Sequence, residues 1–383
     1  MLLASTQSAI GGVILFAAVV IALTYAWINV RQGREEVGSE IELAANRKPY
    51  YSDEELEGKK LDRTLTVGLI GMFVVAIALP LYGVAEPGRQ DGARADFKRK
   101  FVDRGAEMFD TTENEGFNCA FCHGGMEATG SAVEFTITDA NGQFVKQVQW
   151  KAPALNTVLL RFSREELRDI LVYGRTYSPM PAWGVAGGGP LNDQQIQNLI
   201  DYIESIQIDI TDPEAREELR LEVAEAVEEE MRLAEEAGVP YASEGEALFN
   251  LGYYSGYAGG AFACGRCHTT GWSYGEKGPD GNGAYGPSLR GGVSRIRFPG
   301  PVAGLEQQVD FICTGSEKGV NYGQNAQGAG RMPGFCQTPA EVDNAAETGE
   351  VGVQAKEPSD PDTQGGMLSK DDVEKIVRYV RGL

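Results

Sequence analysis

Two stretches of the chain are apolar on every face, and each is about as long as a bilayer is thick. Residues 9–30 (AIGGVILFAAVVIALTYAWINV) and 65–84 (LTVGLIGMFVVAIALPLYGV) hold no charged side chain until the second ends, and roughly 20 such residues suffice for a helix to cross the hydrocarbon core. They predict transmembrane helices within residues 1–30 and 64–84. Residues 1–8 contain no Lys or Arg, so the first run lacks the basic n-region of a signal peptide and reads as a retained anchor. Beyond residue 84 the pattern becomes amphipathic. LNDQQIQNLIDYIESI (191–206) and LSKDDVEKIVRYVRGL (368–383) share one apolar phase, each opening on a capping signal, Asn192 with Gln195 and Ser369 with Asp372, and each carrying a tyrosine, Tyr202 or Tyr379, on the apolar face. Alternation on both sides of Asn141-Gly142 across residues 133–150 predicts a two-stranded hairpin.

The matching final helices belong to a longer repeat. LRDILVYG (167–174) aligns with QVDFICTG (308–315), APALN (152–156) with GPSLR (286–290), and GAEMF (105–109) with GEALF (245–249). The order is the same in both halves, which predicts a duplicated domain at 95–208 and 241–383. Between them, residues 213–238 are helix formers with Asp212 as cap, Pro213 in the first turn and Gly238 as stop. Their acidic density makes 209–240 a solvated linker helix, with a docking surface as the competing reading. Residues 339–366 are acidic, rich in small side chains and aperiodic, the pattern of a loop. The expected fold class is therefore all-α: two N-terminal transmembrane helices, then two tandem domains, with a small β-hairpin inserted in the first.

Charge fixes the expected topology. Residues 31–63 hold seven Lys or Arg, against none before the first helix, which places that loop in the cytoplasm. The basic cluster from Arg89 to Arg104 argues the other way, and the chemistry of the repeat decides between them. The formal net charge of -21 repels nucleic acid and suits either solubility or a basic partner.

The chain has two histidines, and each stands directly behind a C-x-x-C pair: NCAFCH ends at His123 and ACGRCH at His268. On one helical turn, two thiols reach one edge of a porphyrin and add across its vinyl groups, while the next residue faces the iron. C-x-x-C-H is accordingly read as a c-type haem attachment site, with Cys119, Cys122 and His123 holding one haem and Cys264, Cys267 and His268 the other. Four cysteines around zinc are the competing reading. The separation of 142 positions from Cys122 to Cys264 is far from zinc-ribbon spacing. A redox C-x-x-C pair is a second competitor. Because haem is attached outside the cytoplasm, both halves are placed on the extracytoplasmic side, against the basic cluster.

No histidine remains for the sixth position, so a thioether is the candidate. Met180 in SPMPAW and Met332 in GRMPGF follow their histidines by 57 and 64 residues, each before a proline in a loop. Met367 is the rival for the second site.

These motifs resemble the class I cytochromes c over 95–208 and 241–383. The resemblance implies two covalently bound haem c groups with His123/Met180 and His268/Met332 as axial pairs. It also implies support of the imidazoles by Pro153 and Pro287, packing of Tyr202 and Tyr379 near the haems, and contact of Trp183 and Arg175 with propionates. Cys313 and Cys336 bracket the Met332 segment and are expected to form a disulfide. Val172 takes the place of Cys313 in the first half.

Two filled axial positions imply one-electron transfer rather than catalysis by the chain itself. The layout is similar to the di-haem subunits of haem-copper oxidases and of quinol:cytochrome c reductases. The implied partner is such a respiratory membrane complex, with a soluble electron carrier as a further one. A di-haem peroxidase is the alternative. It needs a vacant or displaceable ligand, and peroxidases of that type use additional histidines. A haem-based sensor would need an output domain larger than the 31–63 loop.

Overall fold

The computed structural model describes residues 57–139, 141–175, 178–210, 212–316, 332–336 and 366–383, together with 13, 16–28 and 31. The chain divides into two units, residues 1–91 and 92–383. In the first, α1 (Phe16–Ile28) is a short apolar helix, and α2 (Lys59–Phe109) contains a window apolar and long enough to cross a membrane. The predicted span at 64–84 lies inside α2, but the helix does not stop there. It passes Pro80 and Pro87 and ends at Phe109. The expectation used the end of the uncharged run as the end of the helix, whereas residues 85–109 are charged helix formers that change the surroundings of the helix without changing its conformation. Most of the predicted loop at 31–63, and the stretch 339–365, fall outside the described residues.

In the second unit the end of α2 crosses α5 (Asp193–Ser205). A Cβ on Gly105 would lie 2.0 Å from the Asn198 carbonyl oxygen, so only glycine permits this approach. The Phe109 and Tyr202 rings meet beside it at 5.1 Å. The second half repeats the arrangement with α7 (Glu244–Phe249) and α11 (Lys370–Val380). There a Cβ on Gly245 would lie 2.2 Å from Lys375 O, and Phe249 and Tyr379 meet at 5.6 Å. The predicted caps are formed: Asn192 with Gln195, and Ser369 with Asp372, make reciprocal capping boxes. The third long helix of each half, α4 (Arg164–Tyr173) in the first and α10 (Ala303–Thr314) in the second, packs on α5 and α11 respectively.

The hairpin is also as predicted. β1 (Ser131–Thr138) pairs antiparallel with β2 (Phe144–Ala152), Ser131 opposite Ala152, and Asp139 closes the turn by accepting from the Asn141 and Gln143 amides. On β2, Val148, Trp150 and Ala152 alternate inward and are buried. That face meets the second half: Trp150 packs on Tyr274 at 5.5 Å, and Lys146 pairs with Glu276.

The linker helix corrects the sequence expectation. α6 (Pro213–Glu236) is not a solvated spacer, because Leu219, Val223, Ala226, Val227, Glu230 and Ala234 are buried on one face and join the core of the second half. Their spacing is that of a helical stripe. Acidic residues on every other face hid it. Glu230, fully buried, accepts from the Tyr241 hydroxyl, the Gly252, Tyr254 and Ser255 amides and the Ser255 hydroxyl, at 2.7 to 3.1 Å.

Candidate functional site

The first C-x-x-C-H forms a single turn, α3 (Cys119–His123). It is entered through Asn118 at φ 69° and left through Gly124 at φ 89°. Two contacts from the following segment hold it: Ser131 Oγ donates to Cys122 O at 2.7 Å, and the Gly130 amide to His123 O at 2.7 Å. The second motif forms the short helix α8 (Gly265–His268) directly after Cys264. The four thiols are unbonded; Cys119, Cys122 and Cys264 are half-buried and Cys267 is exposed. Burial pushes the Cys119 and Cys264 thiols up to about 12, with the neighbouring Cys122 and Cys267 adding to it. Burial also raises Cys122.

Both imidazoles are committed through the same nitrogen. His123 Nδ1 lies 2.8 Å from Pro153 O, and His268 Nδ1 lies 2.8 Å from Pro287 O. A carbonyl only accepts, so each ring carries its proton on Nδ1 and leaves the Nε2 lone pair free as a ligand. Burial pushes His123 down to about 4, opposed by the Pro153 bond and assisted by the charge of Arg266; burial likewise lowers His268. The second ring rests on Gly286, where a Cβ would lie 2.6 Å from His268 Cε1.

The Met-Pro segments are set by matching backbone contacts. After α4, Gly174 at φ 71° lies against Met180 O and Pro181, and the Arg175 amide donates to Met180 O at 3.1 Å. After α10, Gly315 at φ 82° lies against Met332 O and Pro333, and the Ser316 amide donates to Met332 O at 3.0 Å. The correspondence continues. The Trp183 and Gly184 amides bond to Leu171 O and Val172 O, as those of Phe335 and Cys336 do to Ile312 O and Cys313 O; Leu191 N then reaches Trp183 O, as Leu368 N reaches Phe335 O. Met180 and Met332 are both half-buried. Met367 occupies the place of Pro190 and is 2 % exposed in the second core.

The predicted disulfide is formed between Cys313 and Cys336. It has a steric counterpart in the first half, where a Cβ on Gly184 would lie 2.9 Å from Val172 Cγ1. The same two backbone positions approach in each half, closed by a covalent bond in one and by Val against Gly in the other.

The other expected residues are placed as follows. The Tyr202 hydroxyl donates to Met126 O at 2.6 Å and that of Tyr379 to Asp280 Oδ2 at 2.9 Å. Trp183 meets the edge of Phe117 at 5.8 Å, and the Arg175 guanidinium lies 5.2 Å above the Phe162 ring. Sequence reasoning missed Arg266, inside the second C-x-x-C. Its Nη1 donates to Lys151 O and to Gly259 O, each at 2.9 Å, fastening the second motif to the end of β2 and to the loop before it. Arg161, buried beside it, donates to Ala154 O at 3.3 Å. No sequence letter marked either, because their partners are main-chain carbonyls.

The donor set suits haem c. Each site pairs two unbonded thiols on one turn with one imidazole whose Nε2 is free, which is the set a porphyrin needs when it brings its own four nitrogens. Among the described residues no three His, Cys, Asp or Glu side chains converge as a site for a bare ion.

Residues 102–203 match the family model of cytochrome c oxidase, cbb3-type, subunit III. No curated protein and no solved structure matches the chain. The matched segment contains α3, the Pro153 carbonyl, the Met180 loop and α5 up to Ile203. Residues 102–203 are therefore similar to a cytochrome c domain, the kind of module that carries haem c in electron transfer.

Proposed function

We propose that the chain is a membrane-anchored di-haem c-type cytochrome that relays single electrons to a haem-copper oxidase. The observation that carries the reading is the recurrence, in the second half, of the imidazole-to-proline-carbonyl bond at 2.8 Å and of the glycine-supported Met-Pro segment. Cys119 and Cys122 would hold one haem with His123 and Met180 as axial ligands. Cys264 and Cys267 would hold the other with His268 and Met332. Met332 is preferred to Met367 because Met332 stands opposite Met180 in the repeat, whereas Met367 stands opposite Pro190 and is buried in the core. The haem supplies one-electron chemistry, and the protein fixes its potential.

What the chain's own residues do follows from their geometry. Pro153 O and Pro287 O orient the rings and raise the electron-donating power of Nε2. The thioether of each methionine favours the reduced state relative to a second imidazole. With both axial positions filled by the chain, the proposed role is transfer rather than peroxide turnover. The matched family is that of an oxidase subunit, which supports a haem-copper oxidase as partner over a quinol:cytochrome c reductase. Two membrane helices with both halves extracytoplasmic follow from the apolar runs and from where haem is attached.

Pyridine haemochrome analysis combined with intact mass tests the reading. Two thioether-bonded haems per chain are expected, falling to one with full occupancy of the other site in the Cys264→Ala/Cys267→Ala chain. One haem in the unaltered protein would refute the di-haem assignment.

A further inference from the structure

One chain of contacts between the two C-x-x-C-H turns passes through a single side chain, Arg266. From the first site the connection leaves His123 through its Nδ1 bond to Pro153 O, runs back along the chain to Lys151, and crosses from Lys151 O to Arg266 Nη1 at 2.9 Å. Arg266 stands between Cys264 and Cys267, next but one to His268. Its second bond, to Gly259 O, fastens the same nitrogen to the loop before its own motif. The surroundings leave no slack. Ala154 N donates to Ala258 O at 2.9 Å, and Gly259, at φ 55°, is so close that a Cβ there would lie 1.8 Å from Ala152 O. A Cβ on Gly130, the residue whose amide holds His123 O, would lie 2.5 Å from Ala258 C.

The charge is placed as well as the bonds. The Arg266 guanidinium, 143 positions from His123 in the chain, is fixed by Lys151 O two residues before the Pro153 carbonyl that orients that imidazole. It also lies near Cys267, Arg161 and Arg175. One nitrogen, Nη1, donates to both carbonyls, and a guanidinium holds its charge in a desolvated setting better than an ammonium does.

We propose that Arg266 is a positioning residue that couples the two haem sites: it fastens the second attachment turn to the strand that orients His123, and it sets one positive charge behind both. The inference rests on the di-haem reading above. A cation fixed beside a site favours the electron-rich state, and in a poorly solvated interior the effect reaches further than in water. One residue therefore raises the reduction potentials of both sites together. The exchange it bears on is of one electron, from the reduced site to the oxidised one, with no bond formed or broken and no proton moved.

The test is a potentiometric titration of the full-length protein in detergent, followed by visible absorption and paired with haem content. Arg266→Gln is expected to lower both steps of the titration, each by about a tenfold change in the reduced-to-oxidised ratio, or about 59 mV for one electron. Arg266→Lys, keeping the charge with a point donor in place of a fork, is expected to fall between the Gln variant and the parent; it carries the test alone if the Gln chain does not mature. Two unchanged steps, or a shift confined to one of them, overturn the inference. Failure of the underlying reading is distinguishable, because it appears as one haem per chain in the unaltered protein before any variant is made.

Discussion

Replacing Glu230 by alanine tests whether the acidic linker helix is part of the second core. The carboxylate is fully buried and receives five donors: two hydroxyls, from Tyr241 at 3.1 Å and Ser255 at 2.7 Å, and three amides, from Gly252, Tyr254 and Ser255 at 2.9 to 3.0 Å. Hydrogen bonds to a charged acceptor contribute about 1.5–3 kcal/mol each, but a straight sum over five overcounts. The Tyr254 and Ser255 groups are half-buried and regain water when the carboxylate is removed, whereas the Gly252 amide and the Tyr241 hydroxyl are buried. Two stranded donors cost about 1–3 kcal/mol each, giving about 4 kcal/mol for Glu230→Ala. Glu230→Gln, which keeps the shape and one acceptor oxygen, should cost about half of that. The scale is large beside the 5–15 kcal/mol that holds an ordinary domain folded. Urea unfolding of the full chain, read by tryptophan fluorescence, gives the free energies. Hydrogen exchange gives the location, with the amides of Gly252, Tyr254 and Ser255 losing protection first. A cost below about 1 kcal/mol, or protection lost evenly along the chain, would refute the view that this side chain fastens α6 to the second half.

Three further outcomes follow from contacts already described. Gly259→Ala places a methyl where Ala152 O stands and forces a left-handed conformation on alanine; it should destabilise by about 2 kcal/mol or more and admit protease near residues 209–212, whereas an unaltered digest would mean that the halves are not in backbone contact. Serine at both Cys313 and Cys336 should cost roughly 3 kcal/mol by the loop-entropy relation for a separation of 23, measured by urea unfolding with and without reductant. Met367→Ala should cost about 2–5 kcal/mol as a cavity in the core and leave the visible spectrum as it was, while Met332→Ala should alter the spectrum and lower one potential; the reverse pattern would exchange their roles.

Much of this architecture was legible because it is written in side-chain type and spacing. The two attachment motifs, the capping boxes, the hairpin at Asn141-Gly142 and the Gly-x-x-x-Phe crossings at Gly105 and Gly245 each depend on which residue occupies a position. Proline before Leu155 and Leu289 was legible for the same reason, and it fixes the carbonyls that receive His123 and His268. Boundaries were less so. The end of α2 was placed too early because a change from apolar to charged residues alters what surrounds a helix, not whether the backbone remains helical.

What the sequence withheld is the joint between the halves, and the reason is chemical. Arg266 bonds to two carbonyl oxygens, Arg161 to another, and Gly259 meets a fourth across a distance that only a missing Cβ allows. Main-chain acceptors are the same at every residue, so no pairing of letters announces them. The disulfide shows the converse. Cys313 and Cys336 were legible as a pair because thiols outside the cytoplasm seldom remain single, while the equivalent closure in the first half, Val172 against Gly184, looked like two unrelated residues. Both closures hold the final turn of a helix against the segment behind a Met-Pro step. The constraint that recurs is therefore a backbone distance, and sulfur is one of two ways this chain meets it. If those segments carry the axial thioethers, rigidity at this point keeps a weak ligand in place, and the covalent version stands where the chain inserts the longest stretch before its final helix.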